Sequence, residues 1–218
     1  MYLGIDIGTS GVKVVLTDNG SNIIGSETSD LKVVRENIGW SEQEPNDWWK
    51  ATNEAIFKIK DKYFKELKNV QGIGLSGQMH GLTALDEKYP LFRNVCGNVV
   101  MPGFTAPKAL WLKNNELQVF KKIHSILLPK DYVRLLMTGE KCSDMSDSSG
   151  SLWLDIKKRN WSIEALKATD LSIKQMPNIV EGSEISGKLK KSIADDWGID
   201  GRQLLQVEVV TTRQQLVV

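Results

Sequence analysis

Three consecutive strand patterns constrain this chain more than any other feature. Tyr2–Ile7 is a short apolar run that reads as a buried strand. Gly8-Thr9-Ser10-Gly11 punctuates it, and Val12–Thr17 (Val-Lys-Val-Val-Leu-Thr) is β-branched enough to be a second strand. Asp18-Asn19-Gly20 follows, where Asn-Gly is predicted to supply the positive φ angles of a hairpin turn. Asn22–Val34 reads as a third strand, polar enough for a sheet edge. Parallel neighbours need a crossover of about a dozen residues or more, so strands this closely joined form an antiparallel meander.

Helical and strand patterns then mix. Glu44-Pro45 marks a helix start, with Ser41 and Glu44 spaced as a capping box. Trp48, Ala51, Thr52, Ala55, Ile56, Ile59 and Tyr63 recur at helical spacing. Val70–Leu75 reads as a strand, Gly77–Gly81 as a loop and Leu82–Leu85 as a short strand. Met101–Pro107 is a glycine- and proline-rich loop leading into a helix over Ala106–Asn114. Val119–Leu128 holds a short helix and a strand, and Pro129–Met137 a proline-led helix stopped near Gly139. Ser143–Ser151 is expected to be a polar loop, Ile163–Thr169 and Leu189–Trp197 helices, and Leu204–Val210 a strand. The order predicts a mixed α/β domain with a partly antiparallel sheet flanked by helices.

Composition narrows the function classes. With 218 residues, 41% of them hydrophobic, the chain can bury a core and is not a disordered one. The 28 Lys and Arg nearly balance 27 Asp and Glu, so no field draws in nucleic acid or an acidic membrane surface. No apolar run approaches the ~20 residues of a membrane span, and no secretory pattern opens the chain. Cys96 and Cys142 make neither a disulfide framework nor a metal cluster. The expected compartment is the reducing cytoplasm.

Chemistry-bearing residues concentrate in a few places. Asp6 lies among apolar strand residues, where a carboxyl group is costly unless a cation or hydrogen-bond donor meets it. Mg²⁺ held through water is one such partner, and Gly8, Thr9, Ser10 and Lys13 suit an approaching phosphate. The alternative is an Asp that caps its own turn. Gln78, Met79 and His80 follow a buried strand and offer the mixture of polar and flat apolar contacts that suits a sugar or polyol; the alternative is an ordinary surface loop. Trp40 is a stacking candidate. Asp144 and Asp147 are either a carboxylate pair or, given the serines around them, turn and cap residues. Trp48, Trp49, Trp111, Trp153, Trp161 and Trp197 lack an accompanying basic run and read as packing residues.

Taken together, these blocks resemble a known family. Tyr2–Val15, Gly39–Pro45 with Trp48-Trp49, Gly77–Gly81, Met101–Lys108, Leu128–Tyr132 and Ser143–Asp147 are, in order, similar to the FGGY family of carbohydrate kinases, particularly its members acting on D-xylulose. The resemblance implies an actin-like, ribonuclease H-like fold over residues 1–210, equivalent to the N-terminal, sugar-side domain. It implies transfer of the γ-phosphoryl group of ATP to the terminal hydroxyl of D-xylulose, with Mg²⁺. By position, Asp6 falls on the metal and phosphate side with Gly8, Thr9, Ser10 and Lys13, while Gln78, Met79, His80 and Trp40 fall on the sugar side.

Departures from the family pattern qualify that expectation. Residues 90–97 run almost directly into the Gly97–Met101 block, as if a segment including an Asp and an Arg of the sugar pocket were deleted. The family's glycine-rich loop with its general-base Asp is replaced by the off-family tail 211–218, so no catalytic residue is assigned. Arg213-Gln214-Gln215 is compatible with codons whose shifted frame reads Asp-Asn, as a frameshift would leave. The C-terminal ATP domain has no counterpart here, so ATP and Mg²⁺ binding is not carried over to this chain by the resemblance. The expectation is a kinase fragment inactive by itself. The alternatives are a non-catalytic sugar-binding or interaction module, self-associating through surface left bare by the missing domain, and a decayed gene product.

Overall fold

A computed structural model of the chain describes residues 1–36, 41–79, 81–85, 104–155, 158–200 and 208–211, the last four and Leu85 by backbone alone. Strands β1 (Tyr2–Ile7), β2 (Gly11–Thr17) and β3 (Ile23–Asp30) form the predicted meander. Helix α1 (Pro45–Leu67) leads to β4 (Gly72–Gly77) and β5 (Thr83–Leu85). Helices α2 (Thr105–Asn115) and α3 (Leu117–Phe120), strand β6 (Ser125–Leu127) and α4 (Pro129–Thr138) follow. Then come β7 (Cys142–Asp144), α5 (Met145–Ser149), a small hairpin of β8 (Leu154–Asp155) and β9 (Asn160–Trp161), and α6 (Ile163–Ala168). The chain continues through β10 (Asn178–Val180), α7 (Lys191–Trp197) and β11 (Glu208–Thr211).

The main sheet has five strands in the order β11-β4-β1-β2-β3. Strands β11, β4 and β1 run parallel, while β1, β2 and β3 alternate. Alternation places Leu3, Ile5, Ile7, Val12, Val14 and Leu16 on one face, all buried, against Trp48, Ala55, Ile56 and Ile59 of α1 and Val133 of α4. Trp197 of α7 closes this core, its indole N–H donating to Asn53 Oδ1 at 2.8 Å. A second core gathers Leu112 of α2, Ile126, Trp153, Trp161 and Leu166. Trp48, Trp153, Trp161 and Trp197 are buried and Trp49 and Trp111 pack against the cores, as packing residues should.

Several local expectations are corrected. The first hairpin turn is present, but the positive φ falls on Ser21 (65°) instead of Asn19-Gly20. The Asp18 carboxylate accepts from the backbone N–H groups of Gly20 and Asn22, both at 2.8 Å, and this side-chain turn sets the loop. Strand β3 stops at Asp30, because the Leu31 N–H turns to the Ser10 carbonyl at 2.9 Å. The Ser41–Glu44 capping box is absent: Glu44 itself is the cap residue, without a side-chain cap bond. Val34 and Glu42 hold each other in an isolated bridge, which keeps the chain extended until Pro45 starts α1. Ser143–Ser151 is not a polar loop. It begins inside β7 and contains α5, and Ser143, Asp144, Asp147, Ser148 and Ser151 are buried. The expected strand residues 204–207 lie outside the described residues.

Candidate functional site

The sugar- and phosphate-side candidates meet at the carboxyl ends of the parallel strands, where open α/β sheets usually bind ligands. Asp6 is the penultimate residue of β1, opposite Lys13 on β2 and Ser76 on β4, on the sheet face away from α1. Its Oδ1 is buried without a hydrogen-bond partner among the described residues. No ion pair joins it to the exposed Lys13 among those residues, although the two are cross-strand neighbours on one face. Gly8-Thr9-Ser10-Gly11 makes the tight β1–β2 turn, with the Gly8 N–H donating to Gly11 O at 3.0 Å. A Cβ on Gly8 would lie 3.1 Å from that oxygen, so a side chain would crowd the turn.

The turn is held from two sides. Gln78, just past β4, donates its Nε2 to Thr9 Oγ1 at 2.5 Å, and its backbone N–H reaches Ile7 O at 3.3 Å. Gln43 donates its Nε2 to the Thr9 carbonyl at 2.9 Å, and the Trp48 indole donates to Gln43 Oε1 at 3.3 Å. Thr9 and Ser10 remain exposed, and Gln78 and Met79 half-buried. The structure therefore brings Asp6, Gly8, Thr9, Ser10, Lys13, Gln78 and Met79 to one rim. His80 and Trp40 lie outside the described residues. Gln43 was missed as a positioning residue. Its signal was weak, a polar residue in the Trp40-Ser41-Glu42-Gln43 stretch that follows the stacking candidate.

An unpartnered carboxyl oxygen at this rim fits a hydrated divalent cation. Mg²⁺ usually keeps several waters and takes one or two carboxylates plus substrate phosphates. Among the described residues no group of three or more His, Cys, Asp or Glu is placed to enclose a metal. Among the described residues, Asp6 is the carboxylate this rim offers to such an ion.

A second constellation lies beside the rim, wholly buried. Lys130 Nζ reaches Asp131 Oδ1 at 2.9 Å, Asp144 Oδ2 at 2.5 Å and Asp147 Oδ2 at 3.2 Å. Arg134 Nη1 reaches Asp131 Oδ1 at 3.1 Å and the Cys142 carbonyl at 2.9 Å, and Ser143 Oγ donates to Asp131 Oδ2 at 2.6 Å. Burial works against charge on Lys130, but Asp131, Asp144 and Asp147 outweigh it and hold the ammonium pKa above its ordinary value. Burial would also raise Asp144, yet Lys130 and the Asp147 N–H it caps lower it. For Asp147 burial prevails, helped by Asp144 and Asp131, and its pKa is pushed up to about 6. The two carboxylates are thus a cap and a buried partner of one lysine, not a pair facing substrate. Burial likewise raises the Cys142 thiol, so it is no ready nucleophile.

Comparison with known proteins gives the geometry a context. The sequence matches the N-terminal domain of the FGGY family of carbohydrate kinases over residues 1–96 and again over 87–211. It is 44% identical to the xylulose kinase of Escherichia coli strain K12 in an alignment of 224 residues, covering 91% of this chain and 46% of that protein. The crystal structure of a xyloylose (xylulose) kinase from Brucella ovis superposes with a TM-score of 0.86 at 43% identity, over 97% of this chain and 47% of the other. Gluconate kinase from Lactobacillus acidophilus superposes almost as well (TM-score 0.85, 22% identity), which speaks for the fold alone. The chain spans about half the length of the curated relatives it matches. The fold is the actin-like, ribonuclease H-like one of these kinases. Among the described residues no helix is long and apolar enough to cross a membrane.

Proposed function

Since this chain belongs to the FGGY family of carbohydrate kinases, we propose that it is the sugar-side part of an ATP-dependent kinase acting on D-xylulose. The observation that carries this reading is the convergence of Asp6, the Thr9-Ser10 turn and the Gln78–Met79 loop at the ends of β1 and β4. That rim supplies what phosphoryl transfer requires of this half: an anchor for a metal, donors for phosphate and a surface that orients a hydroxyl. Asp6 would hold Mg²⁺ through water, and Thr9 and Ser10 offer exposed hydroxyls beside it. Bound there, Mg²⁺ supplies neutralisation of charge on the transferring phosphoryl group. Gln78 fixes the turn and the sugar loop relative to each other, and Met79 presents an apolar face to the sugar. Choice of D-xylulose over another polyol rests on the likeness to xylulose kinases, since the fold is shared with a gluconate kinase.

These 218 residues are proposed to be inactive by themselves. Residues 212–218, where the resemblance would put the family's general base, include no carboxylate, and Asp144 and Asp147 are occupied by Lys130. Phosphoryl transfer without a general base is slower by typically 10²–10⁴-fold. A deletion near residues 90–97 is supported by the two overlapping family matches and by an alignment longer than the 218-residue chain itself. The test pairs two assays on the purified chain. Calorimetric titration with D-xylulose should show binding at millimolar sugar. A coupled ADP assay with ATP, Mg²⁺ and D-xylulose should show no sugar-dependent turnover. Turnover that Asp6→Ala abolishes would refute the inactive reading, and absence of sugar heat would refute the sugar-side one.

A further inference from the structure

The loop after β4 is pressed onto the start of α4 at both of its ends. A Cβ on Gly77 would lie 3.3 Å from Lys130 Cβ and 3.1 Å from the Ile7 carbonyl. A Cβ on Gly81 would lie 2.3 Å from Pro129 Cγ, closer than any real contact allows. The two glycines let backbone lie directly on Pro129 and Lys130, while Gln78 between them reaches across to Thr9. The loop is therefore fixed between the β1–β2 turn and the first turn of α4.

That first turn is held by a charge. The Lys130 ammonium has three hydrogens and three carboxylate neighbours, one each from Asp131, Asp144 and Asp147. Its side chain is fully buried, so it has no donor left for a ligand and no path to one. Two of its partners come from the β7–α5 segment, which ties α4 to an element 14 residues further on. Without the ammonium, three carboxyl groups would face one another with Arg134 as the nearest cation, and repulsion would displace the turn on which the loop rests.

We propose that Pro129 and Lys130 form the seat of the Gln78–Met79 loop, and that Lys130 is a positioning residue for sugar recognition although it never touches sugar. The recognition part rests on the sugar-side reading of that loop. Displacements of about 1 Å at positioning elements cost binding and rate heavily, so the effect should be large despite the distance.

The test uses the chain labelled with ¹³C-methyl methionine, with Met79→Leu assigning the Met79 resonance. Lys130→Met should move that resonance in the sugar-free chain, leave in place the resonance of Met1, which packs against the first core at the opposite end of β1, and weaken D-xylulose binding by about tenfold or more. Lys130→Arg, which keeps the charge, should restore much of both. Gly81→Ala should move Met79 from the loop side with the charge cluster intact, and it decides the matter if Lys130→Met fails to fold. A Met79 resonance unmoved in Gly81→Ala and in folded Lys130→Met overturns the seat. Equal sugar affinity in the parent and a folded Lys130→Met whose Met79 has moved overturns the role in recognition. A parent chain that binds no sugar overturns the sugar reading and that role with it, while the Met79 resonance still decides the seat.

Discussion

Asp147 should make this protein less stable as pH rises, and the size of the effect follows from its surroundings. Its side chain is 7% exposed and shares Lys130 with two other carboxylates. Burial first, and then Asp144 and Asp131, raise its pKa from 3.8 to about 6. Between pH about 4 and about 6 the folded chain keeps a proton that the unfolded chain has released. The folded state binds more protons in that window, so stability declines with rising pH. Below it both states are protonated and the contribution is complete; above it both are ionised and the contribution is gone. Two pK units correspond to about 3 kcal/mol.

Asp147→Asn keeps an oxygen that can accept from Lys130 and removes the titration. The stability difference, variant minus parent, should then rise by about 2–3 kcal/mol between pH 4 and pH 7.5, since at pH 4 the unfolded carboxyl is already partly ionised. Asp144 has a lowered pKa, so its own contribution is present above the ordinary carboxylate range and fades as pH falls through the lowered value. It is common to both chains and largely cancels in the difference. Urea unfolding followed by fluorescence of the buried Trp153, Trp161 and Trp197 gives the free energies at each pH. A difference that is flat across that range, or that falls, refutes the assignment of the proton to Asp147.

Asp144→Ala removes both the 2.5 Å partner of Lys130 and the α5 cap, and should cost about 3–5 kcal/mol in the same urea assay at pH 7. Gly25→Ala places a Cβ 2.3 Å from the Tyr63 ring; it should cost about 1–3 kcal/mol and lose most of that penalty when combined with Tyr63→Ala, as a double-mutant cycle would report. Trp197→Phe leaves Asn53 Oδ1 without its indole donor inside a packed core and should lower stability by about 1–3 kcal/mol without changing the urea m-value.

What the sequence disclosed and what it hid divide along the range of the interactions. The β1–β2 pair was legible because the apolar run Tyr2–Ile7 and the β-branched run Val12–Thr17 are local properties of each strand. Helix α4 was legible at both ends because Pro129 and the left-handed Gly139 (φ 87°) are punctuation marks that act on their own backbone. Local rules failed where something distant supplied a better partner. The capping box at Ser41 lost to the bridge from Val34, and the serine- and aspartate-rich stretch at 143–151 was buried because Lys130 and Asp131 lie opposite it. A Ser-Asp run looks solvated until the cation that neutralises it is known.

The candidate site shows the same division, with a consequence for its design. Asp6, Thr9, Gln78 and Met79 could each be picked out from neighbours in the chain, yet the bonds that assemble them join residues far apart: Gln78 to Thr9 across 69 positions and Gln43 to Thr9 across 34. No periodicity encodes those pairs, and the lysine beneath the loop was visible only as one letter of a longer motif. The residues proposed to face ligand can therefore be read locally, while those fixing their positions emerge only after β1, β4 and α4 have packed. Substitutions in the hidden group should consequently alter recognition while leaving every ligand-facing side chain intact, and the comparison of Lys130→Met with Lys130→Arg is built to expose that difference.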